Sequence, residues 1–144
     1  VMEAIQHGFF ATEFVPKEIF DRYGVNSWWF IDERIVRINA ELKKDFNRAV
    51  IINNWSVKGT RQYCGYRPPT SIIGGKNSQH RHGRASDTII SGIHANEVRE
   101  WIMQHKERYM QLGLTTLEHQ DFAPTWVHLD CRWTGLNDIL IVKP

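Results

Sequence analysis

The stretch "ASDTIISGIHANEVREWIMQHKERYMQLGLTTLE", residues 85–118, joins a strand pattern, a helix pattern and a second strand pattern in direct succession. Residues 85–92 carry small and β-branched side chains, which are typical of a strand. Residues 95–113 place apolar side chains at helical spacing and end at Gly113, a residue that often ends a helix. The apolar side chains on that face are Val98, Trp101, Ile102, Tyr109 and Leu112. Residues 114–118 predict another short strand.

Further helix and strand patterns flank this stretch. The first thirty residues are rich in aromatics and are interrupted by Pro16 and Gly24, which predicts short helices or turns that wrap aromatics onto the core. The segment "IDERIVRINAELKKDF" (31–46) has apolar residues every three or four positions, which predicts an amphipathic helix. Strands are also predicted at 50–52, 63–67, 125–133 and 138–144. Two principal helices and about five strands, several of them adjacent in sequence, predict an α+β fold with a mainly antiparallel sheet.

Composition and charge exclude several classes of protein. The 144 residues suit a single domain that spans 1–144. The formal net charge is only +2, and Lys and Arg are spread along the chain, so nucleic-acid binding is not expected. Because no apolar run approaches the roughly 18 residues that cross a bilayer and no secretory signal pattern is present, we expect a soluble chain made in the cytoplasm. Cys64 and Cys131 are expected to stay reduced, since they make no disulfide framework.

Histidine and aspartate residues in two segments form a candidate metal site. In "SQHRHGRASD" (78–87), His80 and Asp87 lie on either side of a glycine that permits a tight turn. His128 lies on the face of a predicted strand that also carries Asp130. Catalytic zinc sites use three protein ligands and leave a fourth position for water, so His80, Asp87 and His128 are a candidate set.

Spacing alone leaves other interpretations open. A loop histidine followed by an aspartate is more often a solvated pair than a ligand pair. His82 competes with His80 as the loop ligand. The other histidines are expected at the surface or as capping residues: His7, His94, His105 and His119.

Three segments resemble those of one protein family. "SQHRHGRASD" resembles the S-x-H-x-x-G-x-A-x-D signature of the zinc D-alanyl-D-alanine carboxypeptidase family, which includes phage L-alanyl-D-glutamate endolysins and is structurally akin to the hedgehog signalling domain. Its fixed positions are matched by Ser78, His80, Gly83, Ala85 and Asp87. Upstream, "CGYRPP" (64–69) resembles the family's S-G-Y-R-x-P segment, with Cys64 in place of Ser. Downstream, "WVHLD" (126–130) resembles the strand of the last zinc histidine, so the resemblance covers about residues 50–132.

The resemblance implies a fold, a metal site and an activity. It implies a hedgehog-like zinc peptidase domain in which His80, Asp87 and His128 bind Zn²⁺. It also implies that Arg67 faces the substrate, where its fixed cation holds a carboxylate or a developing oxyanion. The implied substrate is a peptidoglycan stem peptide, cut between D-alanines or between L-alanine and D-glutamate. A chain without a signal peptide that attacks the cell wall is further expected to be a phage endolysin or a virion-borne peptidase.

One departure from the family concerns the general base. Many members carry an acid three residues before the last zinc histidine, where this chain has Thr125. If residues 114–118 and 125–130 pair as a hairpin, Glu118 lies across from Thr125, and it is our first candidate for the base. Asp130 is the second candidate, or it instead orients a ligand histidine.

The missing acid keeps two other functions open. One is a catalytically inactive, zinc-containing binding module of the same fold. The other is a structural component in which zinc only links the loop to the sheet. A closed site with four protein ligands, in which His82 or Asp130 joins the other three, would mark the structural component.

Overall fold

The computed structural model describes residues 4–144, in which short strands, α-helices and 3₁₀ turns occur in mixed order. The strands are β1 (Ile5–Gln6), β2 (Phe9–Phe10), β3 (Val50–Ile51), β4 (Ala85–Ile90), β5 (Thr116–Glu118), β6 (Val127–Asp130) and β7 (Leu140–Val142). The α-helices are α1 (Lys17–Tyr23), α2 (Glu33–Phe46), α3 (Ala95–Gln104) and α4 (Lys106–Gln111). The 3₁₀ turns are Ala11–Glu13, Gly24–Phe30, Trp55–Val57 and Gln79–His82. Within this described part of the chain, no helix has the length and apolar character needed to cross a membrane.

The main sheet has five strands in the order β3-β4-β6-β5-β7, and β1 and β2 form a separate hairpin. The pairs β3 with β4, β4 with β6 and β6 with β5 are antiparallel, while β7 joins β5 in parallel. The prediction of an α+β fold with a mainly antiparallel sheet is confirmed. Strands β4 and β6 are interior strands, each with a neighbouring strand on both sides. Hydrogen bonds to these neighbours hold the backbone that carries their side chains.

Helix α2 is the amphipathic helix that the sequence predicts. It begins after Asp32, whose carboxylate accepts a hydrogen bond from a backbone N–H of the first turn at 3.0 Å. On its buried face, Asn39 Nδ2 donates to Ser86 Oγ at 2.9 Å, and Asn39 Oδ1 accepts from Thr88 Oγ1 at 2.7 Å. Because Ser86 and Thr88 alternate with Asp87 along β4, these bonds hold α2 against the strand face opposite Asp87.

The N-terminal third of the chain completes the core. Phe9, Phe14 and Trp28 are at most 4% exposed and belong to the same hydrophobic cluster as the helices and the sheet. Their ring centroids lie 5.4 Å apart for Phe9 and Phe14, and 5.9 Å apart for Phe14 and Trp28. The predicted wrapping of aromatics onto the core by short helices and turns is confirmed for these three, whereas Phe10 and Trp29 are exposed.

The single helix predicted over residues 95–113 is divided into α3 and α4. His105 leaves the helical conformation, with φ −119° and ψ 27°, and its backbone N–H caps the end of α3. Its ring Nδ1 donates to Trp101 O at 2.8 Å, and the two rings lie 4.0 Å apart. The prediction of one helix was wrong because this local side-chain bond competes with the regular helical pattern.

Residues 63–67, predicted as a short strand, connect two other segments and form no strand. Tyr66 N donates to Phe14 O at 2.7 Å. Arg67 N donates to His80 O at 3.1 Å. The prediction was wrong because this backbone divides its hydrogen bonds between separate segments, and the connection ties Arg67 to the turn that carries His80.

Strands β5 and β6 form the predicted hairpin, but in a different register. Leu117 lies opposite Leu129, so one step further along the ladder Glu118 is opposite His128. The expected pairing of Glu118 with Thr125 was therefore wrong. Thr125 is exposed in the loop, because β6 begins only after it.

Asp45, near the end of α2, ties this helix to α3 and α4. Its carboxylate accepts hydrogen bonds from Trp101 Nε1 at 2.8 Å, Arg108 Nη1 at 2.9 Å and Tyr109 Oη at 2.6 Å. Burial alone would raise the pKa of Asp45, but these hydrogen bonds outweigh burial and lower the pKa to about 2. An ionised carboxylate therefore joins the three helices.

We expect Asp45→Asn to lower the free energy of unfolding by about 1–2 kcal/mol near neutral pH, a value discounted for solvent screening. The pKa of Asp45 is near 3.8 in the unfolded chain and about 2 in the folded protein. Its contribution to the free energy of unfolding is therefore complete above the unfolded pKa and is lost as the pH falls through the folded pKa. Urea unfolding across this pH range measures the difference, with Asp21→Asn at an exposed ion pair as the control. A difference that stays constant down to the lower pKa would contradict this role.

Candidate metal centre

Three side chains converge from two interior strands and one turn. Asp87 of β4 lies opposite His128 of β6, and His80 reaches them from the 3₁₀ turn before β4. His80 Nε2 lies 3.3 Å and His128 Nδ1 lies 3.0 Å from the same atom, Asp87 Oδ1. One ligand atom from each residue lies within 4.8 Å of the other two. The structure thus brings together the three residues chosen from the sequence, and this group could hold a metal ion.

Gly83 shapes the turn that carries His80. It adopts a left-handed conformation with φ +67°, and a Cβ at this position would lie 1.8 Å from Phe30 O. The carbonyl of Gly83 also accepts a hydrogen bond from Asp32 N at 2.9 Å. A side chain here would push the turn away from the N-terminal part of the chain and move His80 relative to Asp87.

The orientation of the His80 ring is set by a backbone carbonyl. Its Nδ1 lies 2.8 Å from Gly65 O, and because a carbonyl oxygen only accepts, Nδ1 must carry the proton. The lone pair of Nε2 therefore points toward Asp87. Burial lowers the pKa of His80 below its ordinary value, so the neutral form that metal ions require is favoured.

The ring of His128 lies between two carboxylates. Its Nε2 donates to Asp130 Oδ2 at 2.8 Å, and its Nδ1 faces Asp87 Oδ1 at 3.0 Å. Burial alone would lower the pKa of His128, but hydrogen bonds to Asp130 and Asp87 outweigh burial and raise it to about 9. The position between these carboxylates therefore favours a positive charge, which either a proton or a metal ion on Nδ1 can supply.

Asp130 is completely buried and supports the ring of His128. Its two carboxylate oxygens accept from Arg132 Nε at 2.8 Å and Arg132 Nη2 at 2.6 Å, in addition to the bond from His128. Burial alone would raise the pKa of Asp130, but the hydrogen bonds lower it to about 2. A residue that orients a metal ligand makes contacts of this kind. Orienting the ligand is one of the two roles considered for Asp130.

Asp87 is oriented by the arginine that was expected to face the substrate. Arg67 Nη2 donates to Asp87 Oδ2 at 3.0 Å, which leaves Asp87 Oδ1 for the two histidines. Burial opposes the charge of Asp87, but His80 and His128 outweigh burial and hold its pKa below the usual range. Arg67 Nε donates to Tyr63 O at 2.7 Å, so the guanidinium is held firmly beside the metal centre.

The candidate metal centre opens into a cleft of about 810 Å³. The cleft is lined by Arg67, residues 73–80, Asp87, Glu118, Trp126, His128, Arg132 and residues 142–144. A cleft of this volume accommodates a ligand of several residues. The three candidate ligands, Arg67 and Glu118 therefore share one accessible space.

Glu118 lies beside the candidate ligands and Asp130 lies behind them. Glu118 Oε2 is 4.0 Å from His128 Nδ1, the nitrogen that faces Asp87. Asp130 contacts the opposite nitrogen of the same ring. Burial raises the pKa of Glu118. Of the two acids considered as general base, Glu118 is thus the one that reaches the cleft.

The remaining candidates lie elsewhere. His82 is exposed and is not part of the three-residue group. His7 is also exposed, while His94 Nδ1 accepts from Asn96 N at 3.1 Å at the start of α3. His119 Nδ1 accepts from Asp121 N at 3.2 Å within a turn. These positions agree with the predicted surface and capping roles.

Two groups at the centre were missed by sequence reasoning. The Gly65 carbonyl orients His80, and no sequence pattern distinguishes one carbonyl from another. Arg132 pairs with Asp130 and lines the cleft. Its position two residues after Asp130 could have indicated this pairing, because alternate residues of an extended chain share one face.

Comparisons with protein-family models, with curated proteins and with solved structures found no match for this chain. The resemblance to the zinc D-alanyl-D-alanine carboxypeptidase family therefore stays a prediction. The candidate metal centre is supported by its geometry.

We expect His80→Ala, Asp87→Ala and His128→Ala each to abolish retention of a divalent cation, because two donors cannot replace a three-donor site. Metal content after dialysis, measured by elemental analysis, gives the result. His82→Ala is the matched control and should retain the metal, since His82 lies two positions from His80 and is exposed. Metal retention by His80→Ala together with loss by His82→Ala would reverse the assignment.

We expect Asp130→Asn to weaken metal affinity by about 10- to 100-fold, because the charge that holds His128 Nε2–H is lost. A chelator competition titration measures the affinity. Asp138→Asn, at an exposed pair with Lys106, is the control that should keep the wild-type value. Unchanged affinity in Asp130→Asn would show that Asp130 does not orient the ligand.

Proposed function

We propose that this protein is a zinc-dependent peptidase that hydrolyses peptidoglycan stem peptides. The observation that carries the proposal is the convergence of His80, Asp87 and His128 in an open cleft with Glu118 beside them. The sequence resemblance supports zinc as the metal and the stem peptide as the substrate. Delivery to the cell wall as a phage endolysin or a virion-borne peptidase is part of the same proposal.

The donor set suits Zn²⁺. Two imidazole nitrogens and one carboxylate oxygen are typical zinc donors, and three protein donors leave a position for water or substrate. With bonds of about 2.0–2.1 Å, a tetrahedral site places neighbouring donors roughly 3.3 Å apart. The distances from His80 Nε2 and His128 Nδ1 to Asp87 Oδ1 are 3.3 and 3.0 Å, close to this spacing, and all three donor atoms lie within 4.8 Å of one another.

Zn²⁺ would supply Lewis-acid activation of water and of the peptide carbonyl group. In the proposed reaction, Glu118 Oε2 takes a proton from the attacking water and delivers it to the leaving amine. Asp130 and the Gly65 carbonyl keep the two histidine rings aimed at the centre. Arg67 holds Asp87 in place, and its cation also favours negative charge that develops on the substrate.

The charge of the cleft favours a substrate that carries carboxylates. Lys76 and Lys143 add to the arginines on the cleft wall. Stem peptides cut at either of the two expected bonds carry free carboxylates, which these cations would attract.

A second candidate function is a zinc-containing binding or structural module without catalysis. The observation that favours it is Thr125, which stands where many members of the resembled family carry an acid. The position of Glu118, 4.0 Å from His128 Nδ1, favours the enzyme instead, because this carboxylate can take the place of the missing acid.

We expect the purified protein to release new amino groups from peptidoglycan in the presence of zinc and to stop when a chelator is added. Glu118→Gln should keep stoichiometric zinc and lose about 10²- to 10⁴-fold in turnover, because an amide cannot accept the proton. Glu107→Gln, at an exposed position on α4, is the control that should retain turnover.

Two outcomes would contradict this proposal. Zinc bound in stoichiometric amount without any release of amino groups would establish the binding or structural module. Full turnover in Glu118→Gln would show that another group moves the proton.

A further inference from the structure

Arg99 on α3 directs its guanidinium group into the loop that joins β5 to β6. Its Nε donates to Glu118 O at 3.3 Å, and its Nη2 donates to Trp126 O at 2.7 Å and to Ala123 O. Its Nη1 donates to Asn96 Oδ1 on the same helix at 2.9 Å. One side chain therefore holds the last carbonyl of β5 and two carbonyls of the loop.

None of these four acceptors is charged, so the contacts of Arg99 are not those of an ion pair. Arginine presents its donors in a rigid planar fork, which fits several acceptors at fixed angles. A half-buried cation needs such hydrogen bonds to offset its lost hydration. Arg99 thus determines the path of the loop through geometry.

The two ends of this loop carry residues that line the cleft, Glu118 and Trp126. Among the described residues, no hydrogen bond ties the carboxylate of Glu118, and its contact with the centre is the 4.0 Å distance to His128 Nδ1. The place of that carboxylate therefore depends on the backbone beneath it. Pairing with β6 at Leu117 and with β7 at Glu118 holds this backbone, and Arg99 holds the carbonyl of Glu118 in addition.

We propose that Arg99 is a positioning residue for the general base, holding the backbone of Glu118 so that its carboxylate stays beside His128. The inference rests on the proposed function, in which Glu118 moves the proton. Arg99 is not among the residues that line the cleft, so it acts through Glu118.

Arg99→Met tests this role. We expect kcat to fall about 10- to 100-fold while KM changes less than about threefold, because a displaced base costs turnover more than binding. Zinc affinity should keep the wild-type value, since Arg99 contacts none of His80, Asp87 and His128. Arg99→Lys should recover only part of kcat, because an ammonium group cannot reproduce the planar fork.

Arg108→Met is the matched control. Arg108 is also a helical arginine with several hydrogen bonds, but it pairs with Asp45 and Glu41, which do not line the cleft. It should lose stability and keep the wild-type kcat. Amide hydrogen exchange supplies a readout that is independent of activity: residues 119–126 should exchange faster in Arg99→Met and not in Arg108→Met.

A double-mutant cycle distinguishes positioning from general damage. Because Arg99 acts through Glu118, adding Arg99→Met to Glu118→Gln should lower kcat no further. Additive losses, an equal loss of kcat in Arg108→Met, or unchanged exchange at 119–126 would overturn the role of Arg99 and leave the proposed function intact. A zinc-loaded wild-type protein that releases no amino groups would overturn both the role of Arg99 and the proposed function. The wild-type activity therefore distinguishes a failure of the proposed function from a failure of the role of Arg99.

Discussion

The antiparallel pairing of β4 with β6 is the constraint on which the candidate metal centre depends. It places Asp87 opposite His128, so two donors separated by forty residues of chain are brought together by the pairing of the two strands. A slip of one residue in this register would turn one of these side chains to the other face of the sheet. On that other face, the hydrogen bonds of Asn39 to Ser86 and Thr88 hold β4 against α2, so Asp87 is kept on the face that carries the site.

Each candidate ligand has its own outer partner, and the three partners differ in chemistry. A neutral carbonyl of Gly65 holds His80, the ionised carboxylate of Asp130 holds His128, and the guanidinium of Arg67 holds Asp87. These contacts direct one nitrogen of each ring and one oxygen of the carboxylate to a common point. Such outer contacts reduce the reorganisation that metal binding requires.

Sequence patterns predicted the elements whose formation is local. Helix α2 follows from its apolar spacing, and the strands before α3 and after α4 follow from their β-branched residues. The three candidate ligands were predicted from the sequence signature, but their convergence requires the β4–β6 pairing that only the fold supplies.

The predictions that were wrong depended on individual contacts between distant segments or side chains. The β5–β6 register could not be read from the sequence, because Arg99 on α3 holds a long loop that keeps Thr125 outside β6. The predicted helix is interrupted at His105, where one ring nitrogen bonds to Trp101 O. The spacing of apolar residues gives no indication of this bond. The Gly65 carbonyl was missed for the same reason, since its role depends on where the chain passes His80.

The charges of the side chains around the candidate metal centre favour the proposed substrate. Asp87 pairs with Arg67 and Asp130 pairs with Arg132, so Glu118 is the carboxylate without an arginine partner among these groups. The raised pKa of His128 favours a protonated ring between the carboxylates, and this proton balances that remaining negative charge. A divalent cation in place of this proton would leave the group with an excess positive charge, and the cleft wall adds two lysines. A positive cleft attracts carboxylates and stabilises negative charge that develops on a carbonyl oxygen, and both properties support the proposed peptidase activity on acidic peptides.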